Sequence, residues 1–156
     1  MQSYISRSPN GDHIERAIAA LLLLVREQFG LEVVFLGEAL EGRRYFRQIS
    51  AASEPCVIEV GQSQPLEETL CQRILEGRAA RLIIDVTSQR QALDLPPVYD
   101  GLGTHVGVPV YLASGRLYGF LCGFSFQRLE GISQRDIKRL EVAARTAARL
   151  IDEASQ

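Results

Sequence analysis

Apolar positions at the two ends of the chain recur every three or four residues, while those in the middle alternate. Ile14, Ile18, Leu21, Leu22, Val25 and Phe29 follow helical spacing, with Asp12 as cap, Glu15 in an acidic first turn and Gly30 as the stop. At the far end, Ser133 and Asp136 make a capping-box-like start for Ile137, Leu140, Ala144, Ala147, Ile151 and Ala154. Ala19, Ala20, Leu23 and Leu24 widen the apolar surface of the first helix, so one stripe can meet a sheet and another a partner. The polar residues 1–11, with Pro9, Asn10 and Gly11, predict a flexible lead-in to one domain over residues 12–156.

Between the helices the pattern predicts strands. Leu31–Gly37 is rich in β-formers, Glu41-Gly42 is a turn, and Arg43–Ser50 follows as a strand of mixed polarity near a sheet edge. In that strand Tyr45, Arg47 and Ile49 share one side, and Arg44, Phe46 and Gln48 the other. Cys56–Val60 reads as a third short strand. Gln64-Pro65 then opens a helix that Gly77 closes, and its Leu70, Cys71, Ile74 and Leu75 lie on adjoining positions, which points Cys71 inward. Leu82–Ile84 is a short buried strand. Residues 86–103, containing Pro96-Pro97, have no sustained period and are expected to form a lid, with Tyr99 and Asp100 close to its opening.

The stretch from Thr104 to Phe126 is the one the others must be arranged around. Val106, Val108, Val110 and Leu112 alternate with other residues, and Leu117, Gly119, Leu121 and Gly123 do so again after a Ser114-Gly115 break. With that break as the tip, Leu112 faces Leu117 and Val108 faces Leu121. The Val and Leu face, notched at Gly119 and Gly123, suits packed helices. The opposite face carries His105, Gly107, Pro109 and Tyr111 from one strand and Tyr118, Phe120, Cys122 and Phe124 from the other. Aromatic bulk, an imidazole, phenols and a thiol suit a small-molecule pocket, and a second hydrophobic core under a covering helix fits the same residues about as well.

Helix, three strands, helix, strand, long loop, hairpin and helix make an α+β plan with one antiparallel sheet. A length of 156 residues fits one domain, and 46% apolar against 23% charged residues argues against disorder. The net charge of −2 leaves no basic excess to hold nucleic acid or an anionic membrane. The apolar run of residues 17–25 is too short to span a bilayer, and acidic residues precede it where a signal peptide has basic ones, so a cytoplasmic setting is expected. Cys56, Cys71 and Cys122 contain no C-x-x-C pair, which disfavours a disulfide frame and a structural zinc site. With only His13 and His105, Cys/His and Ser/His/Asp catalysis have thin material. No catalytic residue, metal ligand or cofactor is assigned.

The element order, together with PLEETLCQRILEG (Pro65–Gly77), LIIDV (Leu82–Val86), HVGVPVYLASGRLYGFLCGFS (His105–Ser125) and ISQRDIKRLEVAARTAARLIDE (Ile132–Glu153), resembles a GAF domain. The likeness is to those of bacterial histidine kinases and cyclic-di-GMP signalling proteins. It implies a PAS-related fold with a central antiparallel sheet of five to six strands. The terminal helices would pack on one face of that sheet, and pocket-forming helices and loops on the other. It also implies a cytosolic sensory module that binds a small ligand and passes a change through dimerised terminal helices to a separate output domain. The ligand contacts are then expected among Cys71, Tyr99, Asp100, His105, Pro109, Tyr111, Tyr118, Phe120, Cys122 and Phe124, and the homodimer contacts at Leu140, Ala144, Ala147 and Ile151. Three specialised relatives are not matched. The cysteines precede Val57, Gln72 and Gly123, not the His that often follows a bilin-bearing Cys; an N-K-F-D-E cyclic-nucleotide signature is missing; and the cysteines depart from the pattern of free-methionine sulfoxide reductases. A ligand-free dimerisation module, and a thiol reductase using Cys71 or Cys122, are the competing expectations.

Overall fold

The computed structural model describes residues 9–155. Its strands are β1 (Val33–Leu40), β2 (Arg43–Ala51), β3 (Ser63–Pro65), β4 (Leu82–Ile83), β5 (His105–Tyr111) and β6 (Leu117–Phe124). They form one antiparallel sheet in the order β3-β2-β1-β6-β5-β4, so the chain is α+β with six strands, as expected. The long helices α1 (Pro9–Phe29) and α4 (Gln134–Ala154) cover one face of the sheet. The short helices α2 (Leu70–Leu75) and α3 (Val86–Gln89), with single 3-10 turns at Leu66–Glu68 and Pro97–Tyr99, cover the other.

Two hydrophobic cores result, one on each side of the sheet. Ile14, Ile18 and Leu22 of α1 meet Leu140, Ala144 and Ile151 of α4 over Val34, Leu36, Val106, Val108 and Leu121. Burying each such aliphatic side chain fully contributes roughly 1.5–3 kcal/mol, so this layer supplies a large share of the stability. It also corrects one expectation. Leu140, Ala144, Ala147 and Ile151, placed at a dimer seam by their spacing, are all buried within the single chain. Heptad-like spacing marks an apolar stripe, and here the stripe is taken up by α1 and the sheet.

Other local expectations also shift. Helix α1 begins at Pro9, a turn before Asp12, and the remainder of the lead-in, residues 1–8, lies outside the described residues. Glu41 and Gly42 both have positive φ, the two-residue turn whose twist matches a β1–β2 hairpin. Cys56–Val60 is not a strand. Ser63–Pro65 takes the edge beside β2 instead, with Arg43 opposite Pro65. That pairing keeps Pro65 extended, so α2 starts only at Leu70, where the Thr69 hydroxyl accepts the Gln72 N–H at 3.2 Å.

Two β-bulges set which side chains reach which face. Leu36 pairs with Gln48 and Gly37 with Phe46, leaving Arg47 as an extra residue in β2. Gln48 therefore turns towards α1, where it donates to the Glu15 carbonyl, and Ile49 joins Arg44 and Phe46 on the opposite side. In the β5–β6 hairpin Val108 faces Leu121, as expected. Beyond Val110 and Gly119 the register slips, so that Leu117 faces Tyr111 and Tyr118 is extra. Tyr118 thus falls into the core beneath the long helices, and Leu117 packs on the other side. The glycine notches also serve a different neighbour: a Cβ on Gly119 would stand 1.9 Å from the Gly37 carbonyl oxygen, so the close approach is by strand β1.

Candidate functional site

The face of the sheet away from α1 and α4 holds a cavity of about 230 Å³. Its base is formed by β1, β2, β5 and β6 through Phe35, Arg44, Phe46, His105 and Phe124. Val98, Tyr99 and Leu102 of the lid and Val57 and Ile58 of the β2–β3 connection close over it, with Gln64 and Phe126 at the sides. The long connection over residues 86–103 is therefore a wall of the cavity, as its lack of periodicity suggested. Aromatic side chains dominate: Phe35 and Phe46 meet edge to face at 4.8 Å between ring centres, and Phe124 and Phe126 at 5.9 Å.

Arg44 is the charged group of this wall, and it is 4% exposed. Its guanidinium carbon lies 4.5 Å from the Phe46 ring centre and 5.0 Å from that of Phe35, a cation–π sandwich. Gly37 makes this placement possible, since a Cβ there would sit 3.0 Å from Arg44 Cγ. Nη2 donates to Gln64 Oε1 at 2.6 Å, Nη1 donates to Cys71 Sγ at 3.2 Å, and Nε has no hydrogen-bond partner among the described residues. None of the ion pairs among the described residues includes Arg44. Burial works to lower its pKa, but the negative charge available on Cys71, Tyr99 and Cys122 holds it above the ordinary value, so the guanidinium stays charged.

Beneath Arg44 lie two thiols. Cys71, on the first turn of α2, and Cys122, mid-strand in β6, bring their sulfurs to 3.3 Å. Burial alone would push the Cys71 thiol up; the hydrogen bond with Cys122 and the charge of Arg44 outweigh it and bring Cys71 down to about 6. Burial and the neighbouring Cys71 push Cys122 well up. His105 is fully enclosed, and burial, reinforced by the Arg44 charge, lowers its pKa to about 3. The imidazole is therefore neutral near pH 7, and its Nδ1 has no hydrogen-bond partner among the described residues.

Tyr99 ties the lid to α2, because its hydroxyl oxygen accepts the Leu70 N–H at 2.8 Å. Removing that acceptor leaves a buried donor unsatisfied, so Tyr99→Phe is expected to cost about 1–2 kcal/mol in chemical denaturation. A cost near zero would mean that the lid is not held through this bond.

Of the residues proposed from sequence as ligand contacts, Tyr99, His105 and Phe124 line the cavity, while Cys71, Phe120 and Cys122 lie in the core just beneath. Tyr118 does not reach the cavity, because the bulge turns it to the helix side. Asp100 is exposed and pairs with Arg90, and Pro109 and Tyr111 border a surface depression beside Arg81, Glu141 and Arg145. The last two sit past the end of β4, which covers β5 only at His105 and Val106. Arg44, Phe35, Phe46 and Gln64 were missed as site residues. The available signal was an arginine sharing one side of a half-apolar strand with Phe46.

Among the described residues no helix is long and apolar enough to cross a membrane, and no group of three or more His, Cys, Asp or Glu could hold a metal ion. No curated protein matches the chain. Similar solved structures include the GAF domain of phosphoenolpyruvate-protein phosphotransferase from Acinetobacter, with TM-score 0.72 and 16% identity over 91% of this chain and 84% of that one. The phycoerythrobilin-bound GAF domain of a cyanobacterial phytochrome has TM-score 0.72 and 16% identity, covering 91% of this chain and 87% of that one. Free methionine-R-sulfoxide reductase from Neisseria meningitidis, in complex with its substrate, has TM-score 0.70 and 15% identity, covering 99% and 98%. At such identities the likeness is one of fold. The family model for the GAF domain matches residues 12–152, nearly the whole chain, and the protein therefore belongs to the GAF domain family.

Proposed function

We propose that this GAF domain is a sensory module that binds a small anionic molecule with an apolar body in the cavity beside Arg44. The observation that carries this reading is a permanently charged guanidinium, 4% exposed, in an aromatic wall and without a carboxylate partner. Burying such a charge costs free energy unless an opposite charge accompanies it, and Arg cannot shed its proton to escape the cost. The Cys71 thiolate meets the guanidinium from beneath. On the cavity side a ligand carboxylate supplies the opposite charge, and the Phe35, Phe46 and Phe124 rings receive the apolar part. A volume of about 230 Å³ suits a metabolite rather than a tetrapyrrole.

Strands β1 and β6 carry the signal in this proposal. They present Phe35 and Phe124 to the cavity and Val34 and Leu121 to the terminal helices. The ligand biases the helix arrangement by its difference in affinity between arrangements, and a separate output domain, a kinase or a cyclic-di-GMP module, reads the result. Self-association through the terminal helices falls to Leu23 and Leu24 of α1 and Val142 of α4, which are exposed. The cavity beside His105 favours sensing over a ligand-free dimerisation module, which requires a sheet face filled by its own side chains.

The test is thermal denaturation and calorimetric titration with benzoate and phenylacetate, set against benzamide and phenylacetamide. At one hundred times its Kd, a carboxylate is expected to add about 2.7 kcal/mol and raise Tm by roughly 5–10 °C. Arg44→Met should weaken it by about tenfold or more, the loss of a charge-assisted hydrogen bond. Equal binding of the amides would refute the anionic class, and binding of neither series would count against ligand sensing.

A further inference from the structure

We propose that Cys71 and Cys122 form a peroxide-reactive dithiol, a redox site distinct from the ligand cavity above it. Their sulfurs are 3.3 Å apart although the residues come from different elements, α2 and β6. The space around them is kept clear by Gly107, opposite Cys122 in the β5–β6 ladder: a Cβ there would come within 2.9 Å of Cys122 Sγ. Closing the pair to a bond of about 2.05 Å requires the two sulfurs to approach by little more than about 1 Å.

The two thiols are not equivalent. Arg44 Nη1 points at Cys71 Sγ from 3.2 Å, and its other bonded partner, Gln64, is neutral. Cys71 is thus the anion-forming group hydrogen-bonded to a buried cation, the surroundings that generate a thiolate nucleophile. Cys122 faces Cys71 and keeps its proton, which suits a resolving thiol. Arg44, Tyr99 and His105 belong both to the cavity wall and to the surroundings of the thiols, so a molecule of peroxide size in the cavity is one side chain away from Cys71.

The oxidant is a peroxide. The Cys71 thiolate attacks one peroxide oxygen, the O–O bond breaks, and hydroxide leaves to become water, with Cys71 as the sulfenic acid. The Cys122 sulfur then attacks the Cys71 sulfur. The S–S bond forms, the S–O bond breaks, and the Cys122 proton leaves with the hydroxyl group as a second water. Two electrons pass from the sulfurs to the peroxide, and an external dithiol reverses the step. Cys56, half-buried and outside this cluster, takes no part.

The 156-residue chain, reduced and then exposed to hydrogen peroxide, should lose two alkylatable thiols and two hydrogens of mass. Peptide mapping should link Cys71 to Cys122, leave Cys56 open to alkylation, and show reversal by dithiothreitol. In Cys122→Ala the sulfenic acid should persist on Cys71 and be trapped by dimedone, and Arg44→Gln should slow the reaction roughly tenfold by removing the cation. Retention of all three thiols, a bond to Cys56, or oxidation of Cys71 no faster than that of Cys56 would overturn the proposal. The wild-type result decides it even if a variant fails to fold. None of these readouts involves a ligand, so they separate this site from the carboxylate test.

Discussion

Replacing Gly119 by alanine is expected to lower the unfolding free energy by about 3 kcal/mol and Tm by roughly 6–12 °C. The added Cβ would stand 1.9 Å from the Gly37 carbonyl oxygen, 2.8 Å from its carbon and 2.9 Å from Glu38 Cα. Each of these atoms is backbone in β1, which is flanked on both sides, so no flexible side chain can yield. Relief has to come from parting the β1–β6 ladder, the seam that joins the two halves of the sheet. Gly131→Ala is the control. Nothing lies within 4 Å of its added Cβ and the backbone there is outside the left-handed region, so a change within about 0.5 kcal/mol is expected. Equal melting temperatures for the two variants would refute the β1–β6 register.

An acid limb in the stability profile is the second large effect, and it belongs to His105. The unfolded imidazole takes up its proton near pH 6.5, whereas the folded one resists until about pH 3. Within that window the unfolded state holds more protons, so acid favours unfolding. The His105 contribution is fully present above about pH 6.5 and falls by about 1.4 kcal/mol for each pH unit below it, roughly 4–5 kcal/mol in all. Denaturant titrations at several pH values, on the wild type and on His105→Gln, measure the difference. The variant is expected to lose this part of the slope and keep whatever the carboxylates contribute. Parallel wild-type and variant profiles would mean that the imidazole already has a proton-accepting neighbour in the fold. Cys71 acts in the same direction at higher pH: its folded pKa is depressed to about 6, so its contribution fades as pH falls through that value.

Arg44 links the His105 and Cys71 titrations to the site. Its charge helps to keep His105 neutral and Cys71 ionised, and it is the group that an anionic ligand would meet. Oxidation of the thiol pair removes the thiolate facing the guanidinium and leaves the charge to the cavity. The carboxylate affinity of the oxidised protein is therefore expected to exceed that of the reduced one.

Much of the site was legible in part. The alternation in β5 correctly separated Val106, Val108 and Val110 from His105, and the helical spacing of α2 pointed Cys71 inward. Tyr118 was misplaced because one extra residue in β6 reverses the alternation at the start of the strand. The bulge depends on the partner strand, and no residue near Tyr118 announces it. Arg44 was assigned to the correct side of β2 but not to a site, since only the fold brings Gln64, Cys71 and the two phenylalanines around it.

By itself the sequence determined the two long helices, the Glu41-Gly42 turn, the hairpin and the separation of Val106, Val108 and Val110 from His105 on its two faces. These depend on periodicity and backbone preference within a few residues. Only the tertiary structure decided the strand order, the bulges, the intramolecular seam at Leu140 and Ile151, and the meeting of Arg44, Cys71, His105 and Cys122. Those depend on contacts between residues tens of positions apart, where side-chain type states what a group can do and packing alone states what it faces.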